Sequence, residues 1–310
     1  LFTTFDNKMI KVIIVNLKGG LGNQMFQYAL GYCLAKKKGV PLFLDLRLME
    51  EHKIKSSPRN VPRSFDLDIF NIEEKTACKI DLIKTMQFMN SYRLRKYIAL
   101  ILDKLNLFII YEKNRLYDNR VYSNNSKNIY LDGLWQSENY FKNFRNEILN
   151  LYNFDKINKK KRNIEFIKKI DLSKSICLNV RRTDFLNNPE HNVSSIKYYI
   201  NAINKFKEII GSKFKVYIFS DDLEWCKENL EFIDDKEFVE HEYAGHKFYD
   251  YLYLMSSFKN FIIPNSSFAW WACWLSKQKN KNVVTPKKWS GLVDESLIDV
   301  VPSKWIRIKY

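Results

Sequence analysis

Glycine and proline are scarce, with 9 and 7 in 310 residues. That excludes collagen-like and linker-rich chains and argues against repeat-loop β architectures. No run of about 18 apolar residues occurs, so no membrane-spanning helix is predicted. The nearest stretch, Ile98 to Ile110, is interrupted by Asp103, Lys104 and Asn106. No secretory signal pattern is visible. The five cysteines, Cys33, Cys78, Cys177, Cys226 and Cys273, form no C-x-x-C pair. A zinc ribbon and a thioredoxin-like motif are therefore excluded, and the scattered set reads as free thiols in a reducing compartment. There is no internal repeat and no low-complexity segment.

What is present favours a large folded core. The chain is 46% hydrophobic and 15% aromatic, which excludes wholesale disorder. Its length suits one large α/β domain or two of about 150 residues. The net charge is +16. A basic surface favours an anionic partner: nucleic acid, an anionic membrane face or a phosphorylated substrate. The basic residues are dispersed rather than clustered with stacking aromatics, which disfavours nucleic acid.

The pattern along the chain alternates strand and helix. Ile10 to Val15 reads as a buried strand closed by glycines at 19, 20 and 22. Gln24 to Lys36 is predicted helical, with Asn23 as its N-cap, and Pro41 to Leu46 as the next strand. Ile72 to Tyr117 carries helical patterning with a basic stretch at Arg93, Arg95 and Lys96, read as a helix on the core. Asn128 to Leu134 reads as a strand and Ser137 to Asn150 as a helix. The charge run Asp155 to Lys169 is a candidate boundary. Alternation then resumes, with strands at Ser175 to Val180, Phe214 to Phe219, Phe238 to Glu240, Asn260 to Pro264 and Val283 to Val284. Helices are predicted at Ile196 to Ile210, Leu223 to Leu230, Tyr249 to Ser256 and Ser267 to Leu275. Two such blocks predict two Rossmann-like domains facing across a cleft, residues 9–165 and 166–310.

Four segments carry chemistry. Gly19-Gly20-Leu21-Gly22-Asn23-Gln24 lies between strand and helix, where backbone N–H groups and a helix N-terminus suit a phosphate. It serves equally as a tight structural turn. It half matches a dinucleotide fingerprint, but Met25 fills the third small position and Asp45 stands only roughly where a ribose acid belongs. Asn179-Val180-Arg181-Arg182-Thr183-Asp184 ends a strand, the ligand edge of an open α/β sheet, where a guanidinium can clamp a pyrophosphate. Ser220-Asp221-Asp222 also follows a strand; its carboxylates suit a guanine edge, a ribose, Mg²⁺ or a helix cap. Asn265-Ser266-Ser267-Phe268-Ala269-Trp270-Trp271 opens a helix whose start suits a phosphate. Adjacent tryptophans cannot share one helix face, so one is expected in the core and the other on the cleft.

Taken in order, these segments resemble the bacterial α-1,2-fucosyltransferase family, glycosyltransferase family 11. Gly19 to Ala29 (GGLGNQMFQYA) matches its opening motif. Leu134 to Phe141 (LWQSENYF) resembles its YWQSE segment. Asn179 to Asp184 stands for its H-x-R-R-x-D motif, Ser220 to Cys226 for its SDD-x-x-WC motif, and Leu254-Met255-Ser256 with Asn265 to Trp271 for its final pair. Pro58-Arg59 and Phe65 to Ile72 are also similar. The resemblance runs from Ile10 to Trp305.

The resemblance implies a GT-B-like fold and inverting, metal-independent transfer of L-fucose from GDP-β-L-fucose to the 2-hydroxyl of a terminal galactose. No cofactor is implied beyond that co-substrate. It places Arg181 on the leaving phosphate, with Arg182 beside it. It places Asp222, with Asp221, on guanine; Asn265, Ser266, Ser267 and Phe268 around the pyrophosphate and base; and Gly20, Gly22 and Asn23 toward phosphates and fucose. Asn179 replaces the motif histidine, Thr183 its glycine and Ser194 a cysteine, so the base falls to Asp184 or His191. The implied acceptor is a galactose-terminated or lipid-linked glycan and the implied location cytoplasmic. The charge is compatible with peripheral contact at the inner membrane. A transferase using another sugar nucleotide is the alternative; an NAD(P) oxidoreductase is disfavoured by Met25.

Overall fold

The computed structural model describes residues 11–49, 63–73, 109–154, 160–186, 188–191 and 193–309. Two parallel sheets, each flanked by helices, are built from consecutive halves of the chain. The first holds β1 (Val12–Asn16), β2 (Leu42–Asp45), β3 (Ile109–Tyr111) and β4 (Asn128–Asp132) in the order β2-β1-β4-β3. The second holds β5 (Ser175–Val180), β6 (Lys215–Ser220), β7 (Lys236–Phe238), β8 (Asn260–Ile262), β9 (Asn282–Pro286) and β10 (Ile306–Ile308) in the order β10-β9-β8-β5-β6-β7. Every pairing in both sheets is parallel. This is the GT-B-like α/β architecture.

Strand β5 shows why the sheet forms. All six of its residues are buried, as expected of a strand covered on both faces by helices. Its central register pairs Leu178 with Ile218 on one side and Ile262 on the other. The chain leaves β5 for β6 and β7 on one side, then crosses to β8, β9 and β10 on the other. The order therefore reverses at β5 and β8, and ligands in open α/β sheets bind outside the carboxyl ends of strands at such a reversal. The first sheet reverses in the same way at β1, between β2 and β4.

Helices bounded within the described residues are α1 (Leu21–Lys38), α2 (Arg120–Ser123), α3 (Arg145–Leu151), α4 (Lys161–Lys168), α5 (Ile196–Ile210), α6 (Leu223–Asn229), α7 (Tyr249–Ser256) and α8 (Ser267–Leu275). The position 165/166 falls inside α4. Helices α1 and α8 pack together across the two halves, and one contiguous core runs from Ile13 and Phe26 to Trp271 and Phe261. Phe26 lies 4.5 Å from the Trp270 ring, and Phe141 stacks on Trp271 at 5.3 Å and 19°. Both tryptophans are fully buried, so the expectation that one lines the cleft is corrected. Each indole reaches a carbonyl: Trp270 Nε1 donates to Val300 and Trp271 Nε1 to Gly22. From Ala269 to Leu275 every residue of the helix is buried, so core lies on both sides and receives both rings at once.

Two local expectations differ. Gly20, not Asn23, is the N-cap of α1; its carbonyl accepts from Asn23 and Gln24, placing Asn23 inside the first turn. The segment expected as one helix over 137–150 is two short 3-10 turns followed by α3. Most of the helix expected over 72–117, and Pro58-Arg59, lie outside the described residues.

Candidate functional site

The carboxyl ends of β1, β4, β5, β6 and β8 open into one cleft of about 630 Å³ between the sheets. From the first sheet it is lined by the glycine loop, by Leu134 and Gln136 after β4, and by Arg63. Gly19 holds φ +80°, a left-handed turn that glycine adopts freely. Gly22 is needed for a different reason. A Cβ there would lie 2.5 Å from the Phe268 backbone nitrogen and 2.7 Å from Ser267 Oγ. The start of α1 is thus pressed against the start of α8, and two helix N-termini from opposite halves meet at the cleft. Their combined partial positive charge suits a diphosphate. Asn23 Oδ1 accepts from Gln136 Nε2 at 2.7 Å, which ties the glycine loop to the loop after β4.

Across the cleft, residues 181–184 are organised by one carboxylate. Asp221 accepts from the backbone nitrogens of Arg182 (2.9 Å) and Thr183 (3.1 Å), from the Thr183 hydroxyl, and from Arg181 Nη1 at 3.2 Å. Asp184 then accepts from Arg181 at 2.9 Å and, from the other half, from Arg63 at 2.9 Å. Burial works to raise the Asp184 carboxyl, but the Arg181 hydrogen bond and the charges of Arg181 and Arg63 outweigh it and hold the group below its ordinary value. From the second half, Arg181 presents its guanidinium to the cleft.

Asp222 and Arg182 stand beside the cleft rather than in its lining. Asp222 caps α6 by accepting from the Trp225 nitrogen, and it also accepts from Arg182 Nε at 3.2 Å. Arg182 stacks on the Trp225 ring at 3.8 Å. Both side chains are committed to holding the start of α6. Asn265, Ser266, Ser267 and Phe268 do line the cleft. Ser266 caps α8 by accepting from the Ala269 nitrogen, and Asn265 Nδ2 donates to the Trp289 carbonyl at 3.0 Å.

His191 lines the cleft, its ring stacked on Phe185 at 4.9 Å. Burial lowers its pKa below the ordinary value; Glu190 and Asp184 oppose this, Arg115 and Arg181 reinforce it. Arg115 from the first half pairs with Glu190. Asp45, at the carboxyl end of β2, is not among the cleft's lining residues; Arg47 and the Tyr130 hydroxyl donate to it. Among the described residues, no three His, Cys, Asp or Glu side chains are grouped to hold a metal ion.

Several lining residues carried no readable motif, among them Arg63, Lys247 and Phe248. Arg63 lies in the short described segment ahead of a 3-10 turn, and nothing in its local pattern announces that the fold brings it to Asp184. Lys247 and Phe248 both have positive φ, 51° and 59°, a feature that no composition rule reveals.

The chain matches Glycosyl transferase family 11 over residues 4–308. It is 29% identical to an alpha-1,2-colitosyltransferase from Escherichia coli, over 97% of this chain and all of that one. It is 31% identical to the O-antigen biosynthesis glycosyltransferase WbnK from Escherichia coli, over 94% of this chain and 99% of that one. Among solved structures it is similar to the fucosyltransferase NodZ from Bradyrhizobium, at 15% identity and TM-score 0.46, over 86% of this chain and 92% of that one. With a match that spans both sheets and every motif around the cleft, the chain belongs to glycosyl transferase family 11 and is a glycosyltransferase.

Proposed function

We propose that the enzyme moves L-fucose from GDP-β-L-fucose to the 2-hydroxyl of a terminal galactose, with inversion to an α-1,2 linkage. The observation that carries this reading is the meeting of Arg181 with the N-termini of α1 and α8 in one cleft. A departing diphosphate gains negative charge, and fixed guanidinium and N–H donors stabilise it without reorganising. Arg181 thereby does the neutralising that a metal ion does elsewhere, and the reaction runs without a metal. The second sheet holds the nucleotide and the first presents the acceptor. The acceptor is a galactose-terminated or lipid-linked glycan, in keeping with a relative named for O-antigen biosynthesis. The enzyme works in the cytoplasm, and its basic surface favours an anionic inner membrane.

Asp184, ion-paired to two arginines, acts as a positioning residue for Arg181. His191, whose charged form burial disfavours, is the lining imidazole assigned to accept the acceptor's proton. A second reading keeps the scaffold and changes the sugar: the 29% identical relative is named as a colitosyltransferase, so a colitosyl donor is its alternative. Isothermal titration with GDP-fucose, GDP-mannose, UDP-galactose and NAD, with EDTA present, tests the donor class, and transfer from a colitosyl donor against transfer from GDP-fucose tests the sugar. Binding of the GDP compounds alone, followed by α-1,2 product from GDP-fucose, is expected. Binding of UDP-galactose or NAD instead overturns the donor assignment.

A further inference from the structure

The loop from Ala244 to Tyr249 is wound against its backbone preferences. Ala244's carbonyl accepts from both Asp250 and Tyr251, so the chain must reverse within six residues. Gly245 makes the first bend at φ 71°, where a Cβ would sit 2.4 Å from Asp250 Oδ2. Lys247 (φ 51°, ψ 28°) and Phe248 (φ 59°, ψ 19°) are then both left-handed. Two consecutive non-glycine residues in that region, one of them aromatic, are a strained arrangement that persists only where surrounding contacts fix it.

Those contacts come from the other half of the molecule. Lys247 Nζ donates to the Phe65 carbonyl at 2.5 Å and to both Asp68 carboxylate oxygens at 2.9 and 3.1 Å, with Asp66 at 3.5 Å. The strain has a visible result. Phe248 is 44% exposed, an unusual state for so apolar a ring, and it lines the cleft beside Ser220 and Tyr251. Its ring is 6.1 Å from that of the buried Tyr251. A phenyl face at the cleft, backed by a second aromatic ring and beside the carboxyl end of β6, matches the flat apolar face of a nucleobase. The phosphate-holding groups at Ser266 and Arg181 lie in the same cleft.

We propose that Phe248 is the stacking platform for the donor's nucleobase and that Lys247 positions it by clamping the loop to the segment at residues 65–68. This rests on the nucleotide-sugar reading above. Stacking recognises any base face, so the residue contributes affinity for the nucleoside while leaving the choice of base to other contacts. The rigid left-handed pair holds the ring in place before the donor arrives.

The test compares two ligands on four proteins. GDP and inorganic pyrophosphate are titrated into wild type, Phe248→Asn, Phe248→Tyr and Lys247→Met. Asparagine tolerates left-handed backbone, so Phe248→Asn removes the ring without disturbing the loop. It is expected to weaken GDP by roughly 10- to 100-fold and pyrophosphate by less than twofold. Phe248→Tyr is expected to retain GDP affinity, and Lys247→Met to lose part of it while pyrophosphate binding holds. GDP affinity unchanged in Phe248→Asn overturns the proposal, as does an equal loss for both ligands. Failure of wild type to bind GDP at all overturns the donor reading instead, so the two failures are distinguishable.

Discussion

Arg63 reaches Asp184 across the cleft at 2.9 Å, from a position 121 residues earlier in the chain. The same carboxylate accepts from Arg181, so one acid holds two guanidiniums from opposite halves of the chain. Asp184→Asn is expected to lower kcat by about 10- to 100-fold through misplacement of Arg181, and Arg63→Ala to lower it less. The double variant should cost less than the product of the two single losses, because residues in one ion-pair network do not act independently. The cycle, measured on kcat with saturating donor, fails if the effects multiply. The pH sign follows from the direction of the shift. A carboxyl depressed in the folded state stabilises fully at neutral pH, and that contribution is lost as pH falls through its folded value. Asp184→Asn should therefore flatten the acid side of the stability curve.

Arg181 offers a planar fork whose ends are already committed to Asp184 and Asp221, which fixes its plane relative to the cleft. Lysine supplies the charge but neither the plane nor the anchoring. Arg181→Lys is expected to lower kcat by about 100- to 1000-fold, the scale for losing one fixed donor to a developing anion. A variant that keeps near-wild-type kcat under single-turnover conditions removes Arg181 from that role.

Most strand positions along the chain and the motif positions were legible because each local signal agreed with the global fold, whereas β3 (Ile109–Tyr111) lies in a segment read as helical. β5, α5, α7 and α8 have the bounds that their hydrophobic runs and caps imply. The β10 edge strand was not legible, since Ile306-Arg307-Ile308 is three residues of half-exposed alternation that only pairing with β9 stabilises. The tryptophan pair misled for a related reason. Helical spacing says that neighbours point apart, but not that core lies on both sides. Asp221 and Asp222 look equivalent in sequence. The fold separates them, one organising the arginine loop and the other capping α6.

Gly22 reports on that fold directly. Gly22→Ala must push the α8 backbone away by several tenths of an ångström or more, since its methyl meets the Phe268 nitrogen and the Ser267 carbonyl carbon rather than a flexible side-chain end. Overpacking of this kind costs about 1–3 kcal/mol. The Trp271 indole, bonded to the Gly22 carbonyl at 3.0 Å, moves with it. The variant is expected to fold with a lower Tm and to lose GDP affinity beyond what the fraction folded explains. A Tm within one degree of wild type, by calorimetry, contradicts the close approach.

On the proposed mechanism, His191 is expected to carry the pH dependence of the reaction itself. Burial lowers its pKa below the ordinary 6.5, so the folded enzyme resists protonating it. Between that lowered value and 6.5 the unfolded chain binds more protons, so this group's contribution to stability rises with pH across that window and is fully present above it. For catalysis the neutral imidazole is the active form, so kcat/KM should fall on acidification with a midpoint below 6.5. His191→Ala should abolish that limb and lower kcat by about 100-fold, within the range for removing a general base. His191→Gln separates packing from proton transfer: it keeps a polar planar group near Phe185 but accepts no proton at neutral pH. Equal activity in His191→Gln and wild type across pH 5 to 8 would show that the acceptor hydroxyl reacts without this base, and that the acid limb belongs to another group.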